Sequence, residues 1–180
     1  MKYSIPPYLA LLCLIAIYPA RVLAQKSFPD DFRKKDIGQD FQWTSLYSLE
    51  GELVDMQQYQ DKILVMNYWF VGCRGCMQEE AFLKQVSEHF ADTEEVVFLS
   101  VSPSSKEQIQ DWFDQKGSFG YPVLLGKNFK FIKQQFGVKT YPRHQIIVRG
   151  RIEESLQVPI FNQSATDWFI ERITDLQEKD

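Results

Sequence analysis

The sequence predicts an α/β fold: a central mixed sheet flanked by helices, with a β-hairpin extension at its N-terminal side. Three observations predict it. Residues 62–69 and 96–101 are apolar on both faces, as strands in the middle of a sheet must be. Segments of helical period separate the apolar runs, so crossovers join successive strands and set them parallel. Toward the C-terminus, residues 145–148 and 152–156 flank an Arg149-Gly150-Arg151 turn, which makes an antiparallel hairpin. The chain's 180 residues, 44% of them hydrophobic, suffice for one core and not for two ordinary domains. It contains no internal repeat and no low-complexity tract.

Each element has a local reason. Residues 41–47 alternate as a strand does, and Glu50-Gly51-Glu52 turns the chain into Leu53-Val54. A helix follows the first central strand from Cys73 to about Phe90. Ser104 or Ser105 caps a second helix that runs to Lys116, with Glu107 assisting in its first turn. Gly117 to Gly120 breaks it, and residues 121–125 are short and extended. Residues 127–136 are helical, and Gly137 stops them. In the last helix, over 165–177, Trp168, Phe169, Ile173 and Leu176 share one face.

The first 24 residues stand apart. Lys2 precedes an apolar block over 5–18 that is shorter than the roughly 20 residues a membrane span needs. Val22-Leu23-Ala24 places small residues where a signal peptidase reads, which predicts cleavage before Gln25. The alternative is retention, with 5–18 anchoring the chain in the inner membrane. Leu12 is too bulky for the residue before a lipidated Cys13. Residues 25–40 are polar and aperiodic and read as a flexible leader, leaving 41–180 as the folded domain. Removing Lys2 and Arg21 from 20 basic residues leaves 18 against 24 acids, a formal −6. A nucleic-acid partner needs a basic footprint and is excluded on that ground.

Cleavage removes Cys13 and leaves Cys73 and Cys76, bound for an oxidising compartment. A structural bridge should close a long loop; a ring this small contributes only about 2 kcal/mol. Zinc needs four ligands, but no second cysteine pair exists and the histidines are His89 and His144. Met77 excludes a c-type haem site. Redox chemistry is what remains, and it requires no cofactor and no metal.

Asn67, Trp69, Cys73, Cys76 and Glu79, on a buried strand running into a helix, resemble the redox motif of the thioredoxin superfamily. Their spacing is most similar to its TlpA/ResA-type branch of exported thiol–disulfide oxidoreductases. Gly137-Val138, Tyr141-Pro142 and Gly150 resemble that branch's later landmarks, so the resemblance spans about 41–180. It implies a thioredoxin-like fold, a cis Pro142 facing the cysteines, and a Tyr141 backbone available to an extended substrate. It also implies a periplasmic protein that reduces disulfides of partner proteins with electrons from a membrane thiol donor. Two departures concern substrate preference: Gly72 stands where many relatives have Trp, and Glu80-Ala81 stand where relatives have Pro after the Glu. A third, Arg74-Gly75 in place of a Pro-containing dipeptide, concerns the reduction potential, because a stabilised thiolate favours the reduced protein.

The residues carry their own chemical argument. Cys73 at a helix N-terminus meets unpaired N–H groups and the positive dipole end, and Arg74 adds a positive charge. Both favour a thiolate that attacks. Cys76, one turn inside and less exposed, resolves the mixed disulfide. At 100° per residue, Phe82, Leu83, Val86 and Phe90 fall within about 60° of Glu79, so its carboxyl is centred on the apolar stripe. Cys76 lies about 60° away, within reach. Burial disfavours the charged carboxylate, which suits Glu79 to take the Cys76 proton and return it. Asn67 stands where thioredoxin has a buried aspartate, and it cannot titrate. His144 reads as a surface or satisfied histidine.

Two rival readings have defined signatures. A thiol peroxidase wants Pro and Thr shortly before the attacking cysteine, which Phe70-Val71-Gly72 does not supply. A copper carrier of the same fold would use Cys73 and Cys76, with or without His144, but no Met or His cluster supports it.

Overall fold

The computed structural model describes Phe32 and residues 34–179. The predicted signal peptide, its predicted cleavage point and the alternative anchor lie outside the described residues. Among those described, no helix is long and apolar enough to cross a membrane.

Among the described residues, seven strands and four helices follow the predicted order. They are β1 (Ser45–Ser48), β2 (Leu53–Asp55), β3 (Ile63–Tyr68), α1 (Arg74–His89), β4 (Val96–Ser102), α2 (Lys106–Lys116), β5 (Val123–Leu125), α3 (Phe129–Phe136), β6 (Arg143–Val148), β7 (Arg151–Leu156) and α4 (Gln163–Gln177). One element was not anticipated, a 3-10 turn over Met56–Tyr59 capped by the Asp55 side chain. The sheet order is β2-β1-β5-β4-β3-β6-β7. β3, β4 and β5 are parallel, while β6, β7 and the β1–β2 hairpin are antiparallel additions.

β3 is buried along its whole length, and its alternation divides the core. Leu64, Met66 and Tyr68 point to the face covered by Ile132 and Phe136 of α3. Ile63 and Val65 point to the other face, against Leu83 and Val86 of α1 and Phe169 and Ile173 of α4. Asn67 shares that second face. Across the antiparallel pairing it lies opposite His144 of β6, so the register brings two polar side chains under α1. A third cluster at the end of β3 packs Trp69, Ile109, Phe119 and Val123 around the two cysteines.

The leader predicted over 25–40 is corrected by the described part of it. From Lys34 onward the chain is a strap along the edge of β7. Lys34 and Gly38 N–H donate to the carbonyls of Ser155 (2.9 Å) and Ile152 (2.7 Å), and Ile152 N–H donates to Gln39 (2.9 Å). Asp36 fixes the strap to the sheet. Its Oδ1 accepts from Arg143 Nη2 at 2.6 Å, and its Oδ2 accepts from Gln145 Nε2 at 2.7 Å and Ser155 Oγ at 2.9 Å. Tyr68 Oη donates to Gln145 Oε1 at 2.7 Å and extends the network into the core. Burial pushes the Asp36 carboxyl up, but the hydrogen bonds and charge of Arg143, with Gln145 and Ser155, outweigh it and hold it below its ordinary value. The strap also covers the sheet edge that β7 would otherwise expose. Hydrophobic period cannot reveal such a segment, because one carboxylate and backbone hydrogen bonds hold it.

Candidate active site

The site forms where β3 ends and α1 begins. Cys73 is the N-cap of α1, in extended conformation, and its Sγ accepts the Cys76 N–H at 3.2 Å. The sulfur therefore occupies the position where a capping oxygen usually satisfies the first orphan donors. Cys73 and Cys76 are joined by a disulfide of 2.04 Å. The two are almost equally buried, 5% and 3% exposed, so the expected difference in exposure is slight. What separates them is position: Cys73 at the helix mouth, Cys76 within the first turn.

The residues before Cys73 form the rim. Trp69 is buried, donates from Nε1 to Ser100 Oγ at 3.2 Å, and packs edge-on to Phe119. Ser104 Oγ accepts the Val71 N–H at 3.0 Å, and Ser105 rather than Ser104 caps α2 in a capping box with Gln108. Gly72 is exposed at φ +92°, with nothing within 4 Å of where a Cβ would stand. Arg74 is also exposed.

Opposite the cysteines lies the Tyr141–Pro142 peptide bond, which is cis, as the resemblance implied. A Cβ on Gly75 would stand 3.1 Å from Pro142 Cδ and 3.1 Å from Pro159 Cγ. Gly75 is therefore the residue that lets both proline rings close on the CxxC turn. Neither the N–H nor the C=O of Tyr141 is engaged by another backbone group among the described residues. Its ring meets Phe70 at 5.3 Å and Phe129 at 5.6 Å, and those two rings meet each other at 5.3 Å. Phe129 is half exposed, so this aromatic triad presents apolar surface beside the disulfide. Burial pushes the Tyr141 phenol up to about 12.

Beneath Cys76 lies a buried polar cluster. Glu79 points inward as its helical position predicts, with 0% exposure. Its Oε2 lies 3.0 Å from His144 Nε2 and accepts the Ile160 N–H at 3.0 Å, while Oε1 has no partner. His144 is not a surface histidine: it is 1% exposed, and its Nδ1 has no partner. Among the described residues no three His, Cys, Asp or Glu side chains converge on a metal-sized space. Asn67 Nδ2 donates to Tyr121 Oη at 3.3 Å. Burial drives the Tyr121 phenol well up, the Asn67 hydrogen bond opposes this, and the charges of Glu79 and Glu80 add to it.

With this geometry in view, the comparisons with known proteins are specific. A family model described as AhpC/TSA matches residues 36–155, from the strap through β7. The chain belongs to the AhpC/TSA family. The thioredoxin-like protein YneN of Bacillus subtilis is 26% identical over 132 residues, covering 71% of this chain and 76% of that one. The thioredoxin domain of a thiol-disulfide oxidoreductase from Bacteroides vulgatus superposes with a TM-score of 0.64 at 16% identity, covering 78% and 96% of the two chains. A DsbF homologue from Corynebacterium diphtheriae gives 0.60 at 24% identity, covering 78% and 90%. The fold is thioredoxin-like. Family membership, together with a CxxC disulfide capping a helix, makes the protein a thioredoxin-like thiol–disulfide oxidoreductase.

Proposed function

We propose that this AhpC/TSA-family protein is an exported, periplasmic reductase of disulfides in partner proteins, with Cys73 as nucleophile, Cys76 as resolving thiol and Glu79 as proton acceptor. The observation that carries the reading is the N-cap placement of Cys73 Sγ. The N–H that donates to the sulfur in the disulfide stabilises a thiolate more strongly once the bond is reduced. The reaction balances as two exchanges. The Cys73 thiolate attacks one client sulfur, forms a mixed disulfide and expels the other client sulfur as a thiolate, which takes a proton from solvent. Glu79 then accepts the Cys76 proton, and the Cys76 thiolate attacks Cys73 Sγ. The second client sulfur leaves, and the protein is left with the Cys73–Cys76 disulfide. A membrane thiol donor returns two electrons.

The Tyr141 backbone and the aromatic triad supply a docking edge for an extended client segment. His144 acts through Glu79 by holding Oε2, which leaves Oε1 as the oxygen free to take a proton. Export rests on the character of residues 1–24.

The test is capture in cells. Cys76→Ser should accumulate mixed disulfides through Cys73, and Cys73→Ser should accumulate none. Mass spectrometry of the trapped adducts should find Gln25 as the first residue. Equal trapping by both variants would end the two-cysteine scheme, and an intact Met1 would replace export with anchoring. Peroxide consumption by a protein that reduces no protein disulfide would favour the peroxidase reading.

A further inference from the structure

We propose that the cavity between the strap and the Tyr141–Pro142 turn is a docking pocket for an acidic segment of the client whose disulfide lies over Cys73. The cavity holds about 430 Å³. Among the described residues, Lys34, Lys35, Lys139 and Arg143 line it, against a single carboxylate, Asp36. On a chain of net charge −4, this is a local excess of three positive charges. Asp36 does not offset it toward a ligand, because Arg143, Gln145 and Ser155 occupy both of its oxygens. None of the three lysines pairs with an acid among the described residues. Arg143 is 6% exposed, yet its Nε–H has no acceptor. The guanidinium is paired through Nη2, but a buried N–H left without an acceptor is costly unless something arrives to accept from it.

Position ties the pocket to the chemistry. Thr140 and Arg143, both in its lining, bracket Tyr141 and Pro142. Pro142 closes on Gly75 in the CxxC turn. A client segment running extended past the Tyr141 backbone advances about 3.3 Å per residue. A side chain two to four positions from the client cysteine therefore lies roughly 7–13 Å farther along the segment, on the side where the pocket opens beside Thr140. A carboxylate there meets several cations where the bulk surface would repel it, which raises both encounter rate and selectivity. The inference rests on the reductase reading for its client, but the pocket can be tested without turnover.

The probes are two fluorescein-labelled decapeptides with Ala in place of Cys. One carries Glu, and the other Gln, at the positions two to four residues from the Ala on both sides. Anisotropy titration of the oxidised full chain should show the Glu peptide binding about tenfold tighter at low salt. The advantage should vanish near 0.5 M salt, where the screening length is only a few ångströms. The double variant Lys35→Glu/Lys139→Glu alters two exposed side chains. It should abolish or reverse the preference for the Glu peptide, because the local charge falls from +3 to −1. With Cys restored and disulfide-linked to a second peptide, the variant should raise KM for the Glu substrate about tenfold, leaving kcat and the Gln substrate unchanged. Equal affinities in the wild type, or a preference that survives high salt or the double variant, would overturn the pocket. Selective binding with reduction of neither substrate would keep the pocket and retire the reductase; reduction of both without discrimination would do the reverse.

Discussion

Replacing Glu79 separates its chemistry from its packing. Glu79 Oε2 accepts the Ile160 N–H and lies 3.0 Å from His144 Nε2, in a site with no solvent exposure. Glu79→Gln keeps an acceptor for both and strands one NH2 group, which costs about 1–3 kcal/mol. Glu79→Leu strands both of its partners and should cost about 2–6 kcal/mol, so urea denaturation should rank the variants in that order. Resolution of a preformed Cys73 mixed disulfide should slow by about 10²- to 10⁴-fold in Glu79→Gln, the usual contribution of a positioned base. The Cys76 proton must then go to solvent, so the variant's rate should climb with pH while the wild-type rate stays flatter. Alkylation of reduced Cys73 should change little, because its capping N–H comes from Cys76. A loss below tenfold, or a loss equal at every pH and tracking the stability deficit, would refute Glu79 as the base.

Two further outcomes test the scaffold around the site. Asp36→Asn should weaken the strap, and the wild type should lose stability on acidification where the variant does not. The sign follows from the depressed Asp36 carboxyl: its stabilisation is complete above the unfolded value of 3.8 and is lost as pH falls through the lower folded value. Urea midpoints taken between about pH 5 and about pH 2 should converge at the acid end; parallel curves would remove Asp36 from the account. Gly75→Ala gains about 1 kcal/mol of helix propensity but sets a methyl 3.1 Å from two proline rings, so it should be net destabilising by about 1–2 kcal/mol. A more stable Gly75→Ala would mean that the Pro142 and Pro159 rings move aside freely.

Local period and spacing determined a large part of this protein. The two-sided apolar runs placed β3 and β4 at the sheet centre, and the turn at Gly150 placed the final hairpin. The step from strand to helix put Cys73 at a helix mouth, and the 100° repeat turned Glu79 inward. These are short-range properties, since a side chain's face follows from its neighbours within a turn or two. The tertiary structure alone decided what meets those side chains. Glu79 finds His144 65 residues away and Ile160 81 away, and Asp36 finds Ser155 at a separation of 119. Hydrophobic period reports that a side chain is buried and is silent about which distant polar group shares the space. So His144 could be read as an ordinary histidine, and residues 34–40 as loose chain, until the β3–β6 register and the strap brought their partners together.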